Sequence, residues 1–288
     1  MLTLQVFANG VVLGCLYACI AVGFSLVWGV LNVINMMHGS FIVLGSYLAW
    51  AAYRALGIDP WFTLIIAAPL FYALGYLVQR GLLNRVIAAP VLVTLTMTFG
   101  LDLMLNNAMI LGFTADYRKL ILDPPLGTLA LGSVVIPVDR ILAMVLALAL
   151  TGALYLILRR SRVGRAIIAV RLDHDAAMLM GVRVKSIYAV AFGLGAAMAG
   201  CAGVLLALIF PISPLSEIQY LGKAFVVCVL GGLGSVPGAV LGGLVLGLVE
   251  SFGGLALGPE NAVTLSFALL ILFLIFRPQG LIGKRGFE

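Results

Sequence analysis

No Asp, Glu, Lys or Arg occurs between Met1 and Arg54, and a water-soluble fold cannot open on so long a stretch without charge. Uncharged runs return over Pro60–Gln79, Ile141–Leu158, Ser186–Ser216, Ala224–Val249 and Asn261–Phe276. Each reads as a segment able to cross a hydrocarbon core, which takes about 20 residues of helix. The runs lack the apolar and polar alternation of an outer-membrane barrel strand, so the spanning elements are expected to be helices, whose backbone hydrogen bonds close within each segment. Composition agrees, since 63% of the 288 residues are hydrophobic and 10% charged, too few polar groups to cover a soluble globule.

A cleaved leader needs a basic start and a short apolar core. Met1 to Gln5 carries no positive charge and the apolar run outlasts a leader, so the first segment is expected to be retained. Cys15, Cys19, Cys201 and Cys228 all lie in apolar runs without a CxxC pair; they read as small packing residues rather than a disulfide framework or metal site.

Basic residues set the expected orientation. Arg159, Arg160, Arg162, Arg165, Arg171, Arg183 and Lys185 crowd one loop, Arg80 and Arg85 flank a turn, and Arg277, Lys284 and Arg285 lie near the C-terminus. The positive-inside rule places all three regions, and the C-terminus, in the cytoplasm of a bacterial-type inner membrane. Asp59, the mixed stretch Asp116 to Arg140, and Glu217 are expected outside. The net charge of +6 is thus a topology signal beside anionic lipid and calls for no nucleic acid.

Spans are drawn at 6–30, 38–56, 61–80, 88–112, 138–158, 187–210, 219–235, 237–254 and 261–277. The expected fold class is an all-α integral membrane protein, a polytopic bundle of 8–9 transmembrane helices with one broken or re-entrant segment. That segment is placed at Gly231, Gly234, Ser235, Pro237 and Gly238, which interrupt an apolar stretch; a turn between two spans is the other reading. One transmembrane domain covers 1–288, with a cytoplasmic loop at 159–186 and an external, hairpin-like loop at 113–138. Small residues four apart, among them Gly10 and Gly14, Gly195, Ala199 and Gly203, and Gly243 and Gly247, suit closely packed helices.

The loops hold no room for a ligand-binding domain, and no G-x-x-x-x-G-K-[ST] phosphate loop occurs. If the chain handles a dilute solute, capture falls to another polypeptide, and any nucleotide energy comes from a partner. Inside the spans, polar groups are costly and face the interior, water or a partner. Asn32, Asn35, His38, Ser40, Asp102, Asn106 and Glu250 are the candidates for a translocation pathway, with Asn107 beside them; structural hydrogen bonding is the alternative for each.

The cytoplasmic loop reads Arg171-Leu172-Asp173-His174-Asp175-Ala176-Ala177-Met178-Leu179-Met180-Gly181-Val182, a short amphipathic helix ended by Gly. Its Asp-Ala-Ala-x-x-x-Gly resembles the Glu-Ala-Ala-x-x-x-Gly loop by which permeases of ATP-binding-cassette (ABC) importers dock into their ATPases; an interfacial helix on the membrane is the plainer alternative. The chain as a whole resembles the LivH group of branched-chain amino acid permeases. The resemblance rests on Asn9-Gly10-x-x-x-Gly14-x-x-Tyr17-Ala18, Leu26 to Ser40, Asp175 to Val182, Gly195 to Gly203, Gly231 to Ala239 and Phe276 to Leu281. Ser40 stands where such permeases often carry an acid, and Trp28 where they often carry Tyr.

The resemblance implies an all-membrane transport subunit and no enzyme, with a homologous second permease, two ABC ATPases that bind ATP and Mg, and an extracytoplasmic substrate-binding protein. It implies no cofactor or metal in this chain. Arg171, Asp175, Ala176, Ala177, Met180 and Gly181 become the ATPase-coupling residues. Branched-chain or other neutral amino acids are the implied solutes, with urea or short amides as an alternative. A stand-alone secondary transporter or channel using Asp102 or His38 is a reading of a different class. An intramembrane enzyme lacks any Ser-Lys, Ser-His, His-Glu-x-x-His or paired-Asp motif.

Overall fold

The computed structural model describes residues 2–87, 89–131, 134–258, 261–277 and 279–282. Eleven helices and one hairpin are found among these residues: α1 Leu2–Leu31, α2 Met37–Leu56, α3 Pro60–Gly81, α4 Val91–Phe113, β1 Thr128–Leu131, β2 Val134–Pro137, α5 Val138–Arg160, α6 Arg162–Leu172, α7 His174–Leu179, α8 Val184–Leu206, α9 Glu217–Gly231, α10 Val236–Leu257 and α11 Ala262–Phe276. Six of them, α1, α3, α4, α5, α8 and α10, are long and apolar enough to cross a membrane, and α11 is a shorter apolar helix. The architecture is a polytopic, all-α membrane bundle. Lys284 and Arg285 lie outside the described residues.

Two antiparallel seams build its centre. Helix α1 lies along α10, and α8 lies along α2 and α3. Glycine makes the contact possible at both, because a Cβ on Gly14 would sit 2.7 Å from the Leu244 Cα, and one on Gly203 would overlap the Ile42 carbonyl. The spacing of small residues in the sequence is therefore the spacing of backbone contacts.

One end of the bundle carries the C-terminus of α1, the α9–α10 turn and the basic pair α6–α7. The other carries the hairpin, where Thr128 pairs with Pro137 and Leu131 with Val134, and where Gln5 donates to the Val135 carbonyl at 2.9 Å. We refer to them as the basic end and the hairpin end.

Helix α2 does not start at the basic end. Asn32, with φ 52°, closes α1 by donating its N–H to the Trp28 carbonyl, a left-handed conformation that Asn tolerates. Residues 32–36 then run back into the bundle without regular structure. The Ile34 carbonyl accepts from Thr98 Oγ1 in α4 at 3.0 Å, and His38 lies level with Ile20, well inside α1. Helix α9 repeats the device in the opposite sense. After α8, residues 207–216 turn back through a bridge between Arg118 and Ile212 and a short 3-10 turn at Pro214–Ser216. Both helices thus begin in the middle of the bundle, with Gly39 against the Glu217 carbonyl. From there α2 runs to the hairpin end and α9 to the basic end.

The irregular segments inside the bundle are therefore 32–36 and 207–216. The stretch from Gly231 to Gly238, expected as a broken or re-entrant segment, is a turn between two helices. Gly232 (φ 99°) and Gly234 (φ 78°) reverse the chain, and Ser235 Oγ caps α10 by accepting from the Gly238 N–H at 3.1 Å. Two left-handed glycines, an N-cap serine and a proline in the first turn stop one helix and start the next.

Candidate functional site

Where α2 and α9 begin, Ser40, Asp102 and Glu217 converge. The Ser40 hydroxyl stands 2.6 Å from Asp102 Oδ1 and 2.5 Å from Glu217 Oε2. Asp102 is only 6% exposed although it lies midway along α4. What compensates the two acids is local: the Ser40 hydroxyl between them, whose one proton serves one carboxylate at a time, and the positive N-terminal ends of two helices that start beside them. Asn106, one turn beyond Asp102, is half-buried, and its Oδ1 has no partner among the described residues. Asn107 is exposed and bonds back to the Leu103 carbonyl at 2.8 Å, so it leaves the face that Asp102 and Asn106 share.

The other pathway candidates of α1 and α2 separate. Asn32 is exposed and ends α1, whereas Asn35 is fully buried with neither amide atom partnered among the described residues. His38 is fully buried, edge-on to Phe24 at 5.4 Å between ring centroids, with Nε2 3.0 Å from the Ile20 carbonyl. A carbonyl only accepts, so Nε2 carries the proton in this bond.

Glu250 belongs to a second polar cluster. Its Oε2 accepts from the Tyr17 hydroxyl at 2.6 Å and pairs with Lys223 Nζ at 2.9 Å, while Oε1 accepts from Ser266 Oγ at 2.6 Å. Lys223 also donates to the Tyr17 hydroxyl at 2.6 Å. One residue each from α1, α9, α10 and α11 meets here. Among the described residues no hydrogen bond or ion pair joins this cluster to Ser40, Asp102 and Glu217.

Glu217 and Lys223 were not among the residues expected inside the bundle. Glu217 follows a Pro-containing stretch that reads as an external loop; nothing short of the fold shows that this loop turns back inward. Lys223 did leave a signal, being one lone cation in an apolar span opposite one lone acid, Glu250, in the next.

At the basic end, α6 buries Ile167 and Val170, and α7 buries Ala177. Asp173 is the N-cap of α7: its Oδ1 accepts from the N–H groups of Asp175 and Ala176, both at 2.9 Å. Asp175 and Ala176 are exposed in its first turn. Gly181, with φ 85°, ends the helix, and the next N–H, from Val182, reaches the Ala177 carbonyl at 3.0 Å. In the fold Ala177 turns inward, and the tip presents Met178, Leu179 (87% exposed) and Met180 (85%). Asp173, His174 and Asp175 bring oxygen and nitrogen atoms within 4.8 Å of one another, but Asp173 is committed to its cap.

Arg171 points the other way. Its side chain enters the bundle, where Nη1 donates to the Gly234 carbonyl at 2.5 Å. Gly29 of α1 borders the same slot. Burial there pulls the guanidinium pKa down from its ordinary value, though an arginine stays charged. The cation is balanced by a turn carbonyl and by the C-terminal ends of α1 and α9.

The family described as "Branched-chain amino acid transport system / permease component" matches residues 6–274. The chain is 36% identical to the high-affinity branched-chain amino acid transport system permease protein BraD of Pseudomonas aeruginosa, over 98% of this chain and 96% of that one. To the LivH permease protein of Escherichia coli it is also 36% identical, again over 98% and 96%. Identity to the Escherichia coli permease protein LivM is 27%, covering 93% of this chain and 68% of LivM. No solved structure matches.

Proposed function

Because the chain belongs to the family of permease components of branched-chain amino acid transport systems, we propose that it forms, with a homologous second permease, the membrane passage of an ATP-driven importer of branched-chain amino acids. The observation that carries this reading is similarity along almost the whole chain to permeases named for that transport. The likeness to LivM supports a homologous partner. Two ATPases bearing ATP and Mg, and an extracytoplasmic binding protein, complete the assembly.

In this reading the basic end faces the cytoplasm of a bacterial-type inner membrane. The exposed Met178–Met180 tip is what α7 inserts into an ATPase. Among the described residues nine helices, α1 to α5 and α8 to α11, carry the chain from an outside N-terminus to an inside C-terminus, with α2 and α9 each continuing an irregular half-crossing. The hairpin end, where Arg54 and Arg118 lie 5.3 and 4.5 Å from the Trp50 ring, receives the binding protein. ATP closes the ATPases, α7 transmits the motion, and access to the passage alternates between the two faces.

Gly181→Trp and Asp175→Lys test the docking element. A Cβ at Gly181 meets nothing within 4 Å, so the substitution acts through the left-handed backbone, at a cost of about 1 kcal/mol, and through a bulky group beside the tip. Both variants are expected to insert normally and to lose ATP-dependent leucine uptake in vesicles containing the complete transporter. Normal uptake would overturn the role of this loop. Competition of leucine uptake by isoleucine and valine, but not by urea or acetamide, is expected; the reverse pattern would move the solute to the amides.

A further inference from the structure

Arg171 and the glycine turn from Gly231 to Ser235 read in the sequence as two unrelated motifs, one for docking and one for breaking a helix. In the fold they are a single contact. A Cβ on Gly234 would stand 2.9 Å from Arg171 Nη2 and 3.0 Å from Cζ, and one on Gly29 would stand 2.8 Å from the Gly234 Cα and 3.5 Å from Arg171 Nε. The guanidinium therefore lies against a turn where a side chain on Gly234 would crowd it, while a side chain on Gly29 would crowd the turn itself. Among the described residues it has no carboxylate partner, so its grip is on backbone.

The backbone it grips leads to the polar centre. Helix α9 ends at this turn and begins at Glu217, 2.5 Å from Ser40, and its 15 residues make a rod of about 22 Å at 1.5 Å per residue. Among the described residues helix α7 packs chiefly on α6 and less on α8, so α6 and its arginine offer a direct link from the exposed tip to the α9–α10 turn. We propose that Arg171 is a positioning residue that joins α6–α7 to α9, so that a displacement of α7 moves the turn and, along α9, the Glu217 carboxylate beside Ser40 and Asp102. This rests on α7 being the ATPase contact.

The test uses the complete transporter in proteoliposomes with its binding protein, measuring ATP hydrolysed per L-leucine taken up and recovery of the ATPases with the permease. Arg171→Ala is expected to retain the ATPases and to raise that ratio about tenfold. Arg171→Lys, which keeps the charge and one donor, recovers part of the loss. Gly234→Ala, with Arg171 intact, uncouples at least as much, because it also strains the backbone at φ 78°, and the Arg171→Ala/Gly234→Ala double variant is no worse than Gly234→Ala alone. Unchanged ratios in all variants, with uptake and hydrolysis falling together, would show the contact to be structural and overturn the proposal, as would multiplying effects in the double variant. Should Arg171→Ala fail to assemble, Arg171→Lys and Gly234→Ala report the same ratio and separate the same two outcomes. Wild-type uptake independent of ATP would instead overturn the ATPase reading, and this proposal with it.

Discussion

Ser40 shows how much one small side chain carries in a bundle of this kind. Its hydroxyl lies between two carboxylates, one from α4 and one from α9, and donates to one of them at a time; a buried acid deprived of its donor loses roughly 1–3 kcal/mol. Ser40→Ala is therefore expected to lower the unfolding temperature of the purified protein in detergent. Asp102→Asn in the same background should restore part of it by removing one of the two charges; a Ser40→Ala protein as stable as wild type would mean that the hydroxyl compensates neither acid. Ser40 and Asp102 were both visible in the sequence as polar residues in apolar spans, 62 positions apart. Their meeting was not, because it depends on the depth at which α2 starts. Asn32 was visible as a polar residue at a span boundary, but its part as the stop of α1, with φ 52° and an exposed side chain, was not. Asp173 drew no notice beside Asp175, yet it is the residue that caps α7.

The helices themselves were legible because lipid demands long apolar segments with few charges, and each span drawn overlaps a helix. Their depth was not, since hydropathy reports length and polarity along the chain and says nothing of where a helix begins in space. The two half-crossings are held by contacts between residues far apart in sequence, such as His38 with Ile20 and Gly39 with Glu217. Packing was half legible: the spacing of Gly195, Ala199 and Gly203 announced a close seam, but not that α1 meets it at Gly195 and α2 at Gly203. The Ser46 hydroxyl, donating to the Gly203 carbonyl at 2.7 Å, fixes that pairing. Gly203→Leu would force a side chain into the Ile42 carbonyl, and overpacking of this kind costs about 1–3 kcal/mol or more. The variant is expected to lose its monodisperse peak on size-exclusion chromatography, whereas Gly152→Leu, at a glycine with open space around it, should elute as wild type. Equal profiles would mean that α2 and α8 do not touch through backbone.

For the molecule as a whole, the question is what keeps α11 and α9 on the α1–α10 seam when lipid provides no hydrophobic drive between helices. Glu250 answers it, joined to Tyr17, Lys223 and Ser266 so that four helices share one carboxylate. Its side chain is 6% exposed and that of Lys223 15%, too little contact with solvent for water to replace a missing partner. Removing one member of such a pair strands the other and costs about 3–5 kcal/mol, whereas replacing both with apolar residues of similar volume is often near neutral. Glu250→Leu alone and Lys223→Met alone are each expected to reduce thermal stability sharply, and the Lys223→Met/Glu250→Leu double variant should recover most of it. If the double variant also recovers ATP-dependent leucine uptake, the cluster is a fastening between helices. Recovery of stability without uptake would place the pair on the transport cycle, since Lys223 stands in the helix whose first residue, Glu217, meets Ser40. Equal losses in the single and double variants would mean that the charges are not coupled and that α11 is held by its apolar face alone.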